Sequence, residues 1–323
     1  MSDDLVVVFG GSGFVGKQVV RALAKRGKRV RVAMRRPHLG ADLRVLGDVG
    51  QIQLLQANVR YPDSVAAALA GADAVVNLVA VLHEKGKQTF QALHVDAARA
   101  VAEAARAHGI ERLVHVSALG AAAKGARYAR TKFAGENAVR EAVASATVLR
   151  PSIIFGPEDH FFNRFAGMAG GPALPLIGGG KTKFQPIFVG DVADAICAAL
   201  DRGDARGRTY ELGGPAVYSF KQLMQFILSE IDRHPMLISI PFVFARPLGL
   251  LLEWACKLVP FIDPPLTSDQ VAMLQRDNIV GVEAGTLTIE DLGVASLESV
   301  EAIAPSYLWR FRPYGQFQTR QLA

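Results

Sequence analysis

Cysteine is nearly absent from this sequence, which has only two in 323 residues. Cys197 and Cys256 each lie in an apolar stretch, and neither stands at a spacing typical of metal ligands. A disulfide-bonded framework is therefore excluded, and we expect both thiols to be reduced core residues of a protein in a reducing compartment. No metal site is predicted.

Uninterrupted apolar runs of membrane-spanning length are also missing. The most apolar stretch, PMLISIPFVFARPLGLLLEWACKLVPF, is broken by Arg246, Glu253, Lys257 and four prolines. A transmembrane helix requires roughly 20 apolar residues, so we expect this stretch to lie on a membrane or against a partner and not to cross one. The first strand begins at Leu5, which leaves no room for a signal peptide. These features predict a cytoplasmic protein, either free or peripheral on the inner face of the cytoplasmic membrane.

The chain begins with a glycine-rich turn between a strand and a helix. Leu5 to Phe9 is short, β-branched and uncharged, as is typical of a strand buried on both faces. The glycines that follow are spaced G-x-x-G-x-x-G, and apolar residues then recur at helical spacing until Gly27. Such a turn lets backbone N–H groups approach a pyrophosphate at the positive end of a helix. The pattern predicts dinucleotide binding.

Acidic residues are missing from Lys17 to Ala41, where an NAD site usually carries an Asp or Glu for the ribose 2′-OH. The second predicted strand, Arg29 to Met34, ends instead in Arg35 and Arg36. A guanidinium at that place suits a 2′-phosphate through charge-assisted hydrogen bonds, so the sequence favours NADP(H) over NAD(H). The alternative is that both arginines are a solvated strand end.

The whole chain is basic, with a net charge of +6 and an isoelectric point near 9.4. This balance favours acidic partners, such as a phosphorylated cofactor, an anionic membrane face or an acidic subunit. No nucleic-acid recognition motif is present, and the cofactor accounts for the densest basic run. We therefore expect no nucleic-acid partner.

Strand and helix patterns alternate after the first unit: QIQLLQANV precedes SVAAALAG, AVVNLVAV precedes HVDAARAVAEAARAHG, and RLVHVSALGA precedes a helix from about Tyr128 to Ala144. This alternation predicts an α/β fold with a doubly wound parallel sheet. TVLRPSIIFGP is predicted as a sixth strand, and Asp191 as the N-cap of a later helix. We assign residues 1–155 and 186–214 to a dinucleotide-binding domain and residues 156–185 and 215–323 to a smaller C-terminal lid domain.

A second group of residues could carry chemistry. Ser117 ends the fifth predicted strand, and Tyr128 and Lys132 stand four apart on one face of the next helix. In a catalytic arrangement Lys132 would stabilise a tyrosinate and hold the nicotinamide ribose, Ser117 would hydrogen-bond a substrate carbonyl, and Tyr128 would pass it a proton. The pair could equally be an inherited nucleotide site without catalysis. His94 and His115 are interpreted as packing residues without a role.

The segments GGSGFVG, NLVA, HVSALGA, YARTK and LRPSIIFGP together resemble the extended and atypical short-chain dehydrogenases/reductases, over nearly the whole chain. GPEDHFFNRFA, FQPIFVGDVADAI, PPLTSDQVAMLQRDN and APSYLWRFRPYGQF resemble a narrower group. That group is the bacterial relatives of the nucleotide-binding accessory subunit of respiratory complex I (NADH:ubiquinone oxidoreductase). The family is thought to bind NADPH for structure, often keeping the Tyr and Lys while lacking the rest of the usual catalytic set.

This resemblance implies a Rossmann fold of the extended short-chain dehydrogenase type and a particular cofactor site. The pyrophosphate would lie at Gly10, Ser12, Gly13, Phe14, Val15 and Gly16, the 2′-phosphate at Arg35 and Arg36, the adenine near Asn58 and Val59, and the adenosine half beside Leu78, Val79 and Ala80. Tyr128, Lys132, Pro151 and Ile154 complete the set. Asn58 stands where relatives often have Asp.

Two functions remain open. The resemblance implies a structural or assembly-related accessory factor that binds NADPH and contacts subunits of complex I at the membrane surface. The residues alone also allow an active NADP(H)-dependent oxidoreductase, or a nucleotide-sugar epimerase or dehydratase, that uses Ser117, Tyr128 and Lys132.

The region from about residue 235 to the C-terminus is predicted to dock on a membrane-associated partner, with an extended tail from residue 306. Its apolar and aromatic candidates are Phe242, Phe244, Leu248, Leu251, Leu252, Trp254, Phe261, Tyr307, Trp309, Phe311 and Tyr314. The alternative is that some of these residues form the core of the lid domain itself.

Overall fold

The computed structural model describes residues 4–258 and 267–317, and for residues 251–258 and 316 it gives the course of the backbone only. Parts of the docking prediction therefore lie outside the described residues, namely Phe261 and the side chains of Leu251, Leu252 and Trp254. The same holds for the side chain of Cys256. The other predicted core thiol, Cys197, is buried.

The elements follow one another in this order. The first part of the chain forms β1 (Leu5–Phe9), α1 (Phe14–Lys25), β2 (Arg29–Met34), β3 (Ile52–Gln56), α2 (Pro62–Leu69), β4 (Ala74–Asn77), α3 (Ala97–Ala107), β5 (Arg112–Val116), α4 (Arg127–Ala142) and β6 (Thr147–Pro151). The middle part forms β7 (Ile154–Phe155), α5 (Phe162–Met168), β8 (Ala173–Ile177), β9 (Lys183–Phe184), β10 (Ile187–Phe188), α6 (Val189–Asp201) and β11 (Thr209–Leu212). The last part forms β12 (Tyr218–Ser219), α7 (Phe220–Ile231), β13 (Met236–Ile240), α8 (Phe242–Leu258), α9 (Ser268–Met273), β14 (Leu287–Thr288), α10 (Val300–Ile303) and α11 (Pro305–Leu308).

These elements form two compact units. The first unit contains residues 1–151, 189–212 and 280–296, and the second contains residues 152–188, 213–279 and 297–323. The first unit thus includes residues 280–296, which the sequence pattern assigned to the smaller domain.

The first unit is built on a sheet of eight parallel strands in the order β14-β11-β6-β5-β4-β1-β2-β3. Helices α1 and α6 pack together, and α2, α3 and α4 form a second packed group. The central strand β1 is buried because Val6, Val7, Val8 and Phe9 are all inaccessible to solvent. The prediction of an α/β fold with a doubly wound parallel sheet is confirmed.

The second unit has its own hydrophobic core, which holds Phe155, Phe162, Phe220, Ile227 and Leu308. Its strands form three separate pairs, β10 with β7, β12 with β9, and β13 with β8. A second, smaller cluster joins Ile177 of β8, Ala245 of α8 and Val271 of α9. No helix in the described part of the chain has both the length and the apolarity to span a bilayer.

Two local predictions are wrong. Asp191 is not an N-cap, because α6 already begins at Val189 and Asp191 is buried within the first turn.

The tail is not extended between residues 305 and 317, where the backbone forms α11 and two short 3₁₀ turns. The cause is burial: the side chains of Tyr307 and Leu308 are 5% and 0% exposed, and the Tyr307 hydroxyl donates a hydrogen bond to Asp159 at 2.7 Å.

Candidate functional site

The candidate site lies along the edge of the first unit where the parallel strands end. The strand order reverses there: β1, β2 and β3 follow one another on one side, while β4, β5 and β6 run to the other side of β1. In open α/β sheets, ligands bind in the crevice outside the carboxyl ends of the strands at such a reversal.

The turn from β1 into α1 is closed by contacts that require glycine. Gly10 has a φ of 82°, and a Cβ added to it would lie 3.2 Å from Leu78, in the segment after β4. A Cβ on Gly16 would lie 2.2 Å from the Gly10 carbonyl oxygen. The N–H of Leu78 donates to the Phe9 carbonyl at 3.0 Å, so the turn and the segment after β4 are fixed against each other.

Gly13 differs, because the packing of the protein does not require it. Its φ is −83°, and an added Cβ would make only an ordinary contact of 3.4 Å with the Gly10 carbonyl oxygen. Gly13 is the N-cap of α1, where the described residues supply no capping side chain and no acidic residue in the first turn. Its bare Cα therefore leaves room for an anionic pyrophosphate beside the positive end of the helix.

The two arginines and Asn58 follow the next strands. Arg35 and Arg36 come directly after β2, are exposed, and take part in no ion pair within the described residues. Asn58 comes after β3, and its Oδ1 accepts a hydrogen bond from the Arg60 N–H at 3.2 Å. The side-chain oxygen of Asn58 is therefore used in a local turn, whereas the side chains of both arginines are exposed to solvent.

The segment after β4 is held by its own hydrogen bonds. Leu78 and Val79 are half-buried, Ala80 is exposed, and the Val79 N–H donates to Asn77 Oδ1 at 3.1 Å. Val59 and Val79 pack against the hydrophobic core of the unit. This fixed apolar segment beside the glycine turn could form one wall of a nucleotide site.

Ser117, Tyr128 and Lys132 belong to the other side of the strand reversal. Ser117 follows β5 and is 4% exposed, and its Oγ is buried without a hydrogen-bond partner in the described part of the chain. Lys132 lies on α4, is 2% exposed, and donates from Nζ to the Val116 carbonyl at 3.0 Å. Tyr128 is half-buried, and its ring meets those of His94 and Phe90 edge to face. A buried hydroxyl without a partner is the kind of group that a substrate or cofactor satisfies.

Burial controls the protonation of this region. It lowers the pKa of Lys132 to about 8, against the opposing charge of Glu136. Burial, together with the nearby Lys132 cation, lowers the pKa of His94 and of His115 to about 3. At neutral pH both imidazoles are therefore uncharged, and Lys132 keeps its proton.

Sequence reasoning gave no role to several polar residues behind the candidate site. Asn77 Nδ2 donates to His115 Nδ1 at 3.3 Å, and His94 contacts Val81 and Thr131. In the sequence, the one indication of such a role is that His94 stands in an otherwise alanine-rich helical stretch. Of the remaining predicted residues, Pro151 ends β6 and is buried, whereas Ile154 lies on β7 of the second unit.

An all-parallel sheet with a glycine turn at the strand reversal defines a Rossmann-type fold. Residues 6–213 match the NAD dependent epimerase/dehydratase family, and the chain belongs to this family within the short-chain dehydrogenases/reductases.

The chain is also similar to mitochondrial proteins of the respiratory NADH dehydrogenase. It is 38% identical over 287 residues to the NADH dehydrogenase (ubiquinone) 1 alpha subcomplex subunit 9 of Arabidopsis thaliana, a match that covers 86% of this chain and 70% of that protein. The ceramide reductase of Caulobacter vibrioides is 34% identical over 254 residues, covering 77% of each chain.

Among solved structures, the fold is shared with the dTDP-glucose 4,6-dehydratase DesIV of Streptomyces venezuelae, which was solved with NAD bound. The TM-score is 0.62 at 21% identity, and the match covers 73% of this chain and 84% of DesIV. At this level of identity the comparison shows a shared fold.

Proposed function

We propose that the chain is an NADP(H)-binding protein that serves as a structural or assembly-related accessory factor of respiratory NADH:ubiquinone oxidoreductase. The observation that carries the cofactor proposal is the open Gly13 at the uncapped start of α1, with two exposed arginines after the neighbouring strand. The assignment to the respiratory enzyme rests on similarity to subunits that carry its name.

In this site the backbone N–H groups of Phe14 and Val15 would hold the pyrophosphate, because they lie at the positive end of α1, whereas the Gly13 N–H already donates to the Gly10 carbonyl. Arg35 would pair with the 2′-phosphate, since no acid is available there to bind a 2′-OH. Lys132 would hold the nicotinamide ribose. When bound, the cofactor supplies hydride chemistry; in an accessory factor its role is to stabilise the fold that binds it.

The cofactor preference is tested by calorimetry with NADPH and NADH. NADPH is expected to bind more tightly than NADH by about tenfold or more, because one charge-assisted hydrogen bond contributes about that factor to affinity. Arg35→Glu should reverse the preference by repelling the 2′-phosphate. Arg106→Glu makes the same charge change at an exposed residue of the last turn of α3, before β5, and should leave the preference unchanged. Equal affinities of the unmodified protein for both cofactors would contradict the assignment to NADP(H).

The pyrophosphate position is tested by Gly13→Ala. The new methyl group makes only an ordinary contact within the protein, so the melting temperature should change little while both cofactors lose affinity by about tenfold or more. Gly203→Ala is the matched control, because its added Cβ meets nothing within 4 Å. Unchanged binding by Gly13→Ala would place the phosphates elsewhere.

The accessory role is tested in native membranes. The protein should co-purify with NADH:ubiquinone oxidoreductase after mild detergent extraction and should hold NADPH for days without oxidising it. Recovery only in the soluble fraction, free of those subunits, would contradict this role.

A second candidate function is an active NADP(H)-dependent oxidoreductase or nucleotide-sugar epimerase or dehydratase. The unpartnered, buried Ser117 Oγ favours it, because this hydroxyl could hold a substrate carbonyl. Tyr128 would then give a proton to the carbonyl oxygen as the carbon accepts the hydride that NADPH supplies. Turnover with a carbonyl, quinone or nucleotide-sugar substrate that is lost in Tyr128→Phe would establish this activity.

A further inference from the structure

His94 lies at an irregular point of the first unit. Residues Gln91–Asp96 form a π-helical turn directly before α3, and His94 is buried there with 1% of its surface exposed. Its ring stacks on Phe90 at a centroid distance of 5.1 Å and meets the Tyr128 ring edge to face at 5.2 Å. Single π-helical turns often occur at functional sites.

Both ring nitrogens of His94 are engaged, each with a different element. Nε2 lies 3.2 Å from the N–H and 3.1 Å from the carbonyl oxygen of Val81, in the segment after β4. Nδ1 lies 3.0 Å from the Thr131 hydroxyl on α4, and that hydroxyl is 3.0 Å from the Tyr128 carbonyl. The single hydroxyl hydrogen of Thr131 is donated to the Tyr128 carbonyl, so the neutral tautomer with its proton on Nδ1 satisfies these contacts: Nδ1–H donates to the Thr131 hydroxyl oxygen, and Nε2 accepts from the Val81 N–H. The low pKa of His94, about 3, keeps the ring neutral at physiological pH.

The backbone of the same turn is pressed against α4. A Cβ added to Gly135 would lie only 2.1 Å from the His94 carbonyl oxygen, so only glycine allows this close approach. His94 is therefore fixed to α4 through its backbone and through Thr131, and its side chain reaches across to Val81.

We infer that His94 is a positioning residue that sets the distance between the segment after β4 and the Tyr128 turn of α4, so that one dinucleotide can contact both. This inference rests on the proposed NADP(H) site, in which the adenosine half lies beside Leu78 to Ala80 and the nicotinamide half lies near Tyr128 and Lys132.

The test compares NADPH with 2′,5′-ADP, a fragment that reaches only the first of these two elements. His94→Phe keeps the ring packing but removes both polar contacts. We expect it to weaken NADPH binding by about tenfold and to change 2′,5′-ADP binding less than twofold, because Leu78 and Val79 keep their own hydrogen bonds.

Conservative variants separate the two contacts. His94→Asn keeps a hydrogen-bond donor toward Thr131, and His94→Gln has a side chain long enough to hydrogen-bond Val81. Each variant should therefore bind NADPH more tightly than His94→Phe does. Thr131→Val added to His94→Phe should cause less than a further twofold loss of NADPH affinity, because the contact between Thr131 and the His94 ring is already gone and only the local bond from the Thr131 hydroxyl to the Tyr128 carbonyl is newly lost.

A matched control identifies a merely structural effect. Val101→Ala empties part of the α3 core, where Val101 is 1% exposed, and should lower the melting temperature without changing the ratio of the two affinities. Equal losses for NADPH and 2′,5′-ADP in His94→Phe, or no loss for either, would overturn the positioning role alone. An unmodified protein that binds neither ligand would overturn the proposed function and this inference with it.

Discussion

Lys132 is the charged residue most deeply buried at the candidate site. The backbone carbonyl of Val116 accepts its hydrogen bond, and Glu136, one turn further along α4, supplies the nearby negative charge. These contacts only partly offset the loss of hydration, because the pKa falls from 10.5 to about 8. The cation is thus maintained at a cost to stability, as expected for a group placed to meet a ligand.

The low pKa of Lys132 predicts a pH-dependent stability. In the folded protein the lysine binds its proton more weakly than in the unfolded chain, so above about pH 8 the unfolded state holds more protons and folding becomes more favourable. Relative to Lys132→Met, the unmodified apoprotein should therefore gain about 2 kcal/mol of unfolding free energy between pH 7 and 9.5. Urea unfolding of both proteins at the two pH values measures this difference. A constant difference would show that the lysine is not perturbed.

At the scale of elements, a buried ion pair joins α4 to β6. The Glu136 side chain is fully buried, and it accepts hydrogen bonds from Arg150 Nε at 2.9 Å and from Arg150 Nη2 at 2.7 Å. The guanidinium of Arg140 lies 3.7 Å away on the same helix. This pair fixes the helix that carries Tyr128 and Lys132 to the sheet.

Glu136→Gln should lower the free energy of unfolding by about 3 kcal/mol, since it leaves the Arg150 charge half-buried without its counterion. The value is at the lower end of the usual range because the Arg150 side chain remains 21% exposed. Glu141→Gln is the matched control on the same helix, where an exposed carboxylate lies 3.6 Å from Arg99, and it should cost less than about 1 kcal/mol. Similar losses in urea unfolding of the two variants would refute the structural role of the buried pair.

The elements that sequence predicted best are those whose pattern is local. β1 and β2 occupy the predicted residues because their β-branched runs are bounded by glycine or charge, and α1 begins one residue after Gly13. β14 has only two residues, so no periodicity reveals that residues 280–296 belong with the first unit. His94 in the π-helical turn and the buried Tyr307 contact residues far along the chain, Thr131 and Asp159, and local patterns do not contain such contacts.

At the scale of the whole molecule, each unit has its own core, and the C-terminal segment belongs to the second. Asp159 accepts hydrogen bonds from the N–H groups of Gly156, Phe161 and Asn163 as well as from Tyr307. Burial still raises the pKa of this carboxyl and that of the Tyr307 phenol. The segment through Arg312 is therefore part of the fold, whereas Tyr314 and Phe317 are 74% and 84% exposed.

This division predicts different outcomes for two truncations. Deleting residues 306–323 removes the buried Tyr307 and Leu308 and should destabilise the second unit by about 3 kcal/mol or more, with faster amide exchange in α5 and α7. Deleting only residues 313–323 keeps both side chains and should leave that exchange unchanged. If the exposed aromatic residues dock on a membrane-associated partner, the shorter deletion is already sufficient to release the protein from membrane fractions, and NADPH binding should survive it.

Hydrogen exchange with mass spectrometry and membrane co-sedimentation measure both effects on the same samples. Unchanged exchange in the longer deletion would show that the bond between Tyr307 and Asp159 does not anchor the segment. Full membrane retention of the shorter deletion would exclude residues 313–323 as the docking element. The exposed residues Val243, Phe244 and Leu250 of α8 would then be the apolar surface to test next, because they are 79%, 67% and 55% exposed while Ala245 of the same helix is buried.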